Sequence, residues 1–174
     1  MNDSDHKQLC KELAEAYYTF LTTVYSAESK EQRIYLNGIN HSDCKGHFLS
    51  NAYLSMYGKH VDFVEWVYHS LNAKKIIDSG QKKGIIFEHI VPKQKYIQDL
   101  CEQRAINGEL TVDFIYDLLC KYWFIALITS AEDKNLLANK MPDGWDGKDI
   151  FLRYKQTKNG IPIQLFDCDG KPAW

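Results

Sequence analysis

Gly84-Ile85-Ile86-Phe87-Glu88-His89-Ile90-Val91-Pro92 is the stretch on which the fold turns. Its first residues are β-branched and aromatic and are bounded by Gly84 and Pro92, which predicts a short strand. The strand ends on an acid and a histidine. On a regular strand neighbouring side chains face opposite sides, so Glu88 and His89 need a bend before Pro92 to reach one site. Downstream, Phe124–Thr129 is a second apolar run compatible with a strand, although so short a run is ambiguous between strand and helix. Ser130-Ala131-Glu132-Asp133 then fits a capping box, with Ser130 as the cap and Asp133 as the acid three residues on. Asn135 is expected in the second turn of that helix.

Around this centre the periodicity is mostly helical. Residues 4–30 read as an amphipathic helix with Leu9, Leu13, Ala16/Tyr17, Phe20 and Val24 on one face. The polar stretch Asn37–Asp43 reads as a loop and residues 47–57 as a short helix. Val61, Val64, Val67/Tyr68 and Leu71 mark a further helix ending near Lys75–Asp78. Residues 94–106 are in helical register up to Asn107-Gly108, and Thr111 can cap another helix carrying Phe114/Ile115, Leu118/Leu119 and Tyr122. Met141–Gly147 is turn-rich. These expectations give an α+β chain, mostly helical, of one domain spanning 1–174: a helical part at 1–78, a central unit at 84–140 with a helical insertion at 94–123, and an extension at 141–174.

Composition narrows the function classes. At 45% hydrophobic, 174 residues can fill a sizeable core. No apolar run is long enough to span a bilayer, and the polar start Met1–His6 lacks a signal peptide's apolar region. The five cysteines are scattered without a C-x-x-C pair, which suits reduced thiols and a cytoplasmic location. A net charge of −2 speaks against coating nucleic acid by bulk charge, but leaves room for a local basic strip. Lys74-Lys75, Lys82-Lys83, Lys93 and Lys95 lie near His89 in sequence and could form one; a solvated lysine face is the plain alternative.

Hydrolysing a phosphodiester needs an activated water and a counter-charge for the leaving oxygen. A neutral imidazole can take the proton. A hard divalent cation held by carboxylate and amide oxygens can supply the charge. Glu88-His89-Ile90-Val91-Pro92 followed by Asp133-Lys134-Asn135 resembles the HNH, or ββα-metal, nucleases. That family presents a strand ending in an Asp-His-Ile-Val-Pro type motif, then a second strand, then a helix bearing Asn or His. The second motif is also similar to the helix motif in the HNH domain of CRISPR effector nucleases. The resemblance covers roughly residues 84–140 and implies a small ββα-metal unit. It implies His89 as general base and Glu88 and Asn135 as ligands of Mg²⁺ or Mn²⁺, with Asp133 contributing or orienting a ligand. The chain departs from the family in Glu88 for the commoner Asp, in the insertion, in Ala126 or its neighbours where many relatives carry Asn, and in lacking zinc-binding cysteine pairs.

The expected activity is metal-dependent cleavage of DNA, with RNA cleavage as the alternative within the class and a non-catalytic helical binding protein as the alternative outside it. Lys82, Lys83, Lys93 and Lys95 are expected to flank the site, and Arg153 either grips a phosphate or pairs with a nearby acid. Nucleic acid is the expected partner, no membrane is, and a second copy or an inhibitory partner is left open. His41-Ser42-Asp43-Cys44-Lys45-Gly46-His47 has zinc-type donors but no second pair, so an ordinary loop is the better reading.

Overall fold

The computed structural model of the protein describes residues 3–25, 48–49 and 68–174. The readings at 26–47, 50–57 and 61–67, including the His41–His47 pattern, lie outside these residues. The described elements are α1 (Asp3–Tyr25), β1 (Tyr68–Ser70), α2 (Leu71–Asp78), β2 (Ile85–His89), a π-helical turn (Gln94–Gln98), α3 (Asp99–Ile106), α4 (Val112–Tyr122), β3 (Ile125–Thr129), α5 (Ser130–Asp133), α6 (Leu152–Lys155) and β4 (Leu165–Phe166). The architecture is mixed α+β, with close to half of the described residues in helices.

The chain packs into two compact units. Among the described residues, one holds 68–93 and 122–174; the other holds 3–25, 48–49 and 94–121. In the second unit α1 packs on α3. Its stripe is Leu9, Leu13, Tyr17, Leu21 and Val24, all buried, while Ala16 faces outward and Phe20 is half-covered. The Tyr25 hydroxyl donates to Glu102 Oε2 at 2.8 Å, tying the end of α1 to α3. Most of the segment expected as an insertion, residues 94–121, therefore packs with the N-terminal helix. Thr111 caps α4 as expected, its Oγ1 accepting from Phe114 N at 3.2 Å.

The first unit is built on a four-stranded mixed sheet of order β2-β3-β1-β4. β2 and β3 are antiparallel, β1 is parallel to β3, and β4 is antiparallel to β1. Ile90, Ala126, Ile128, Leu136, Tyr154, Ile163 and Leu165 form its core, with Ile86, Tyr68, Phe124 and Phe151 packed against them. Two expectations are corrected here. The helix read through Val67/Tyr68 begins only at Leu71: Tyr68–Ser70 is β1, and Ser70 caps α2 by accepting from Ala73 N at 3.1 Å. The sheet has four strands where the sequence shows two, since β1 and β4, at 3 and 2 residues, are too short to show alternation in sequence.

Candidate active site

The register of β2 on β3 decides how its acid and histidine are presented. Glu88 lies opposite Ala126 and His89 opposite Ile125, so the ladder runs unbroken through both. Their side chains leave the strand on opposite faces. Glu88 shares the core face with Ile86, Ala126 and Ile128; the small Ala126 leaves room beside it for a long side chain from elsewhere. That side chain is Arg153. Only 2% of it is exposed, and it forms an ion pair with Glu88 Oε1. The same guanidinium donates to the backbone carbonyl of His89 at 2.6 Å and to that of Leu137 at 3.1 Å. Arg153 thus takes the second of its two expected roles, pairing with an acid, although the acid is 65 residues away in sequence. Buried in this way it offers no surface to a phosphate.

α6 brings Arg153 there. Asp149 opens that turn, its Oδ1 accepting from Phe151 N at 3.1 Å and its Oδ2 from Lys155 Nζ at 2.8 Å. Phe151 and Tyr154 anchor the turn in the core. A charged residue inside the apolar stretch Phe151–Tyr154 is the one trace of this site in the local sequence.

Burial governs the electrostatics. The His89 imidazole is pushed down to about 3 by burial, and by the positive charges of Lys93 and Arg153. It is therefore neutral at ordinary pH. Its Nδ1 is buried and has no hydrogen-bond partner among the described residues. Burial also pushes Glu88 above the usual carboxylate range, and Asp133 adds to the rise; Arg153 and Lys93 pull the other way. The Tyr154 phenol, wholly buried, is raised by burial, with Arg153 opposing and Glu88 and Asp133 adding to the shift.

Thr129, not Ser130, caps α5. Threonine ends the strand in extended backbone, and its Oγ1 accepts from Glu132 N at 3.2 Å while Glu132 Oε2 accepts from Thr129 N at 2.8 Å. Glu132 is therefore the box acid, which leaves Asp133 outside it. Glu132 also accepts from Ser70 Oγ at 2.7 Å and Asn72 Nδ2 at 3.0 Å, so it is consumed in joining β1 and α2 to α5. Asn135 is corrected too: α5 is a single turn closed at Lys134, and Asn135 lies just beyond it. Its Nδ2 donates to Ala131 O at 3.1 Å, and its carbonyl accepts from Lys158 N at 2.8 Å. These bonds take up carbonyls that a second turn would have used. The Asp133 carboxylate and Asn135 Oδ1 have no hydrogen-bond partner among the described residues.

The lysines divide. Lys93 is half-buried, its ammonium pulled below the usual lysine value by burial and partly restored by Glu88. Lys82 and Lys83 are exposed just before β2, at the end of the strand far from His89. Lys95 belongs to the other unit. Lys74 pairs with Asp78 at 3.0 Å.

No protein-family model, curated protein or solved structure matches this chain.

The donors present suit a hard cation in kind. Asp133, Asn135 Oδ1 and the second oxygen of Glu88 are all oxygen ligands, and Mg²⁺ is commonly held by one or two carboxylates with waters and substrate phosphate completing its shell. Among the described residues no group of three or more His, Cys, Asp or Glu side chains is arranged to hold a metal.

Proposed function

We propose that this chain is a divalent-metal-dependent endonuclease acting on DNA. The observation that carries the reading is His89: a neutral imidazole at the end of a strand, with a buried Nδ1 that has no partner among the described residues. A catalytic base needs that protonation state. The order of elements supports it, since β2 pairs antiparallel with β3, β3 runs directly into the capped turn bearing Asp133, and Asn135 follows just beyond that turn.

In this reading His89 accepts a proton from water as the water oxygen attacks phosphorus and the bond to the leaving oxygen breaks. The incoming phosphodiester carries negative charge, which raises the imidazole's basicity from its resting value. Asp133 and Asn135 would hold Mg²⁺ or Mn²⁺; β2 has no bend to turn Glu88 toward His89, so Glu88 would reach the metal from the opposite face of the strand, through the oxygen that Arg153 leaves unused. Held there, a divalent cation would supply counter-charge for the leaving alkoxide. Lys93 meets the phosphate backbone nearest His89, with Lys82 and Lys83 contributing further out.

Incubation with plasmid, single-stranded DNA and RNA, each with Mg²⁺, Mn²⁺ or EDTA, tests the proposal. Metal-dependent plasmid cleavage supports it. Cleavage of RNA alone moves the substrate to RNA, and cleavage of nothing removes the enzyme reading. The Glu88–Arg153 pair favours one rival, a non-catalytic binding protein in which Glu88 is purely structural.

Two further results are expected. Asn135→Ala and Glu88→Gln should each weaken apparent Mg²⁺ affinity by about 10–100-fold or more, because disturbing even an outer partner of a metal site costs that much. Isothermal titration of both variants checks this; wild-type titration in both would place the metal elsewhere. For the lysines, each side chain that meets a phosphate contributes about 0.9 to the log–log salt slope of duplex binding. The slope should therefore become shallower by about that amount in Lys93→Ala. An unchanged slope and affinity would mean that Lys93 meets no phosphate.

A further inference from the structure

We propose that Arg153 is the positioning residue of this site, fixing the His89 segment against the segment that carries Asp133 and Asn135. The inference rests on the nuclease reading for its catalytic consequence. It starts from a problem in the topology. Ile85 pairs with Thr129 and His89 with Ile125, so α5 begins beside the wrong end of β2. Ser130 N and Oγ both bond to Gly84 O, at 2.8 and 3.1 Å, which pins α5 to that end. His89 lies four residues further along the strand, about 13 Å away. Strand order alone therefore separates the histidine from the helix start.

The chain must return across the core face of the sheet to bring the two motifs together, and its route is marked. Leu136 is buried in the core, and Leu137 O reaches the Arg153 guanidinium. Lys158 holds the turn from outside through Lys134 O at 3.0 Å and Asn135 O at 2.8 Å. Arg153 hydrogen-bonds to both segments: Glu88 and the His89 carbonyl on one, the Leu137 carbonyl on the other. The requirement is specific to arginine. A planar fork of donors can meet three fixed acceptors, whereas a lysine ammonium offers one mobile point charge. Glu88, in turn, compensates the buried charge and aims the fork.

The test compares wild type with Arg153→Lys, which keeps the charge and loses the fork. Plasmid cleavage at saturating Mg²⁺ is read as kcat and KM separately. His89 is followed by NMR of the ¹³C-histidine-labelled, metal-free protein. We expect kcat to fall by about 10²-fold, the size of loss that a 1 Å misplacement produces. KM should stay unchanged, and the His89 ring signal should shift or broaden. Wild-type kcat together with a wild-type His89 signal would show that charge alone suffices and would overturn the proposal. If wild-type protein cuts nothing, the nuclease reading fails, and the metal-free His89 signal alone decides whether Arg153 positions the histidine. If Arg153→Lys does not fold, Glu88→Gln is read by the same signal, since the amide oxygen still accepts from the guanidinium. An undisturbed His89 supports the backbone grip of Arg153, and a displaced one assigns the positioning to the carboxylate instead.

Discussion

His89→Ala is expected to lower cleavage by about 10²–10⁴-fold while the protein still melts cooperatively, because that is the usual loss when a positioned general base is removed. The imidazole is neutral from about pH 3 upward, so if His89 is the base, kcat/KM should show no loss from its protonation between pH 5 and pH 8. Stability carries the opposite signature. The folded value lies below the ordinary histidine value of 6.5, so between the two the unfolded chain binds more protons than the folded one. Stability is full above the unfolded value and is lost progressively as pH falls toward about 3. His89→Ala should flatten that part of the acid-stability curve while removing activity at pH 7. Chemical denaturation from pH 7 to pH 4, beside a cleavage assay, measures both. A variant that cleaves like wild type ends the general-base assignment, and one that no longer folds makes His89 a core residue.

What could be read from the sequence follows from how local each signal is. β2 stands out because Ile85-Ile86-Phe87 is branched and aromatic between breakers, whereas the run that forms β3 is apolar enough to suit a helix as well and is settled as a strand by its pairing with β2. The stripe on α1 and the cap at Thr111 are equally local. The cap of α5 lies one residue earlier than expected because Thr129 can serve the strand and the helix together, which a pattern search starting at the first polar residue after the strand does not favour. β1 left no trace in 3 residues. The deepest loss lies at the site. Glu88 and His89 are visible as a pair, but the partner of Glu88 is 65 residues away, and nothing in Phe151–Tyr154 names it. The return of the chain after α5 depends on Arg153 and Lys158, both beyond the motif. Sequence shows which residue types are present; the register of β2 on β3 determines which face each one serves.

Glu88 and Arg153 should behave as a unit, and a double-mutant cycle should show it. Removing either charge strands the other in the core. Glu88→Met leaves a guanidinium that is 2% exposed without its carboxylate, a defect that typically costs about 3–5 kcal/mol. Arg153→Met leaves a carboxylate already pushed upward by burial, and deprives the carbonyls of His89 and Leu137 of a donor. The double variant loses both desolvation penalties together. Burial outweighs attraction at Glu88, so replacing the pair with apolar side chains of similar length should recover most of the stability lost in either single variant. The two unpaired carbonyls should keep it below wild type, at about 1–3 kcal/mol for each carbonyl that finds no other donor. Cleavage should not recover with it. The double variant has the room and the hydrophobicity of a good core but no fork between the His89 and Leu137 segments. Urea denaturation of the four proteins gives the coupling energy, and plasmid cleavage gives the function. Additive losses in stability would mean that the two groups do not rely on each other in solution. A double variant restored in both stability and cleavage would mean that the pair is ballast, with the histidine and the turn after α5 held together by the apolar core alone.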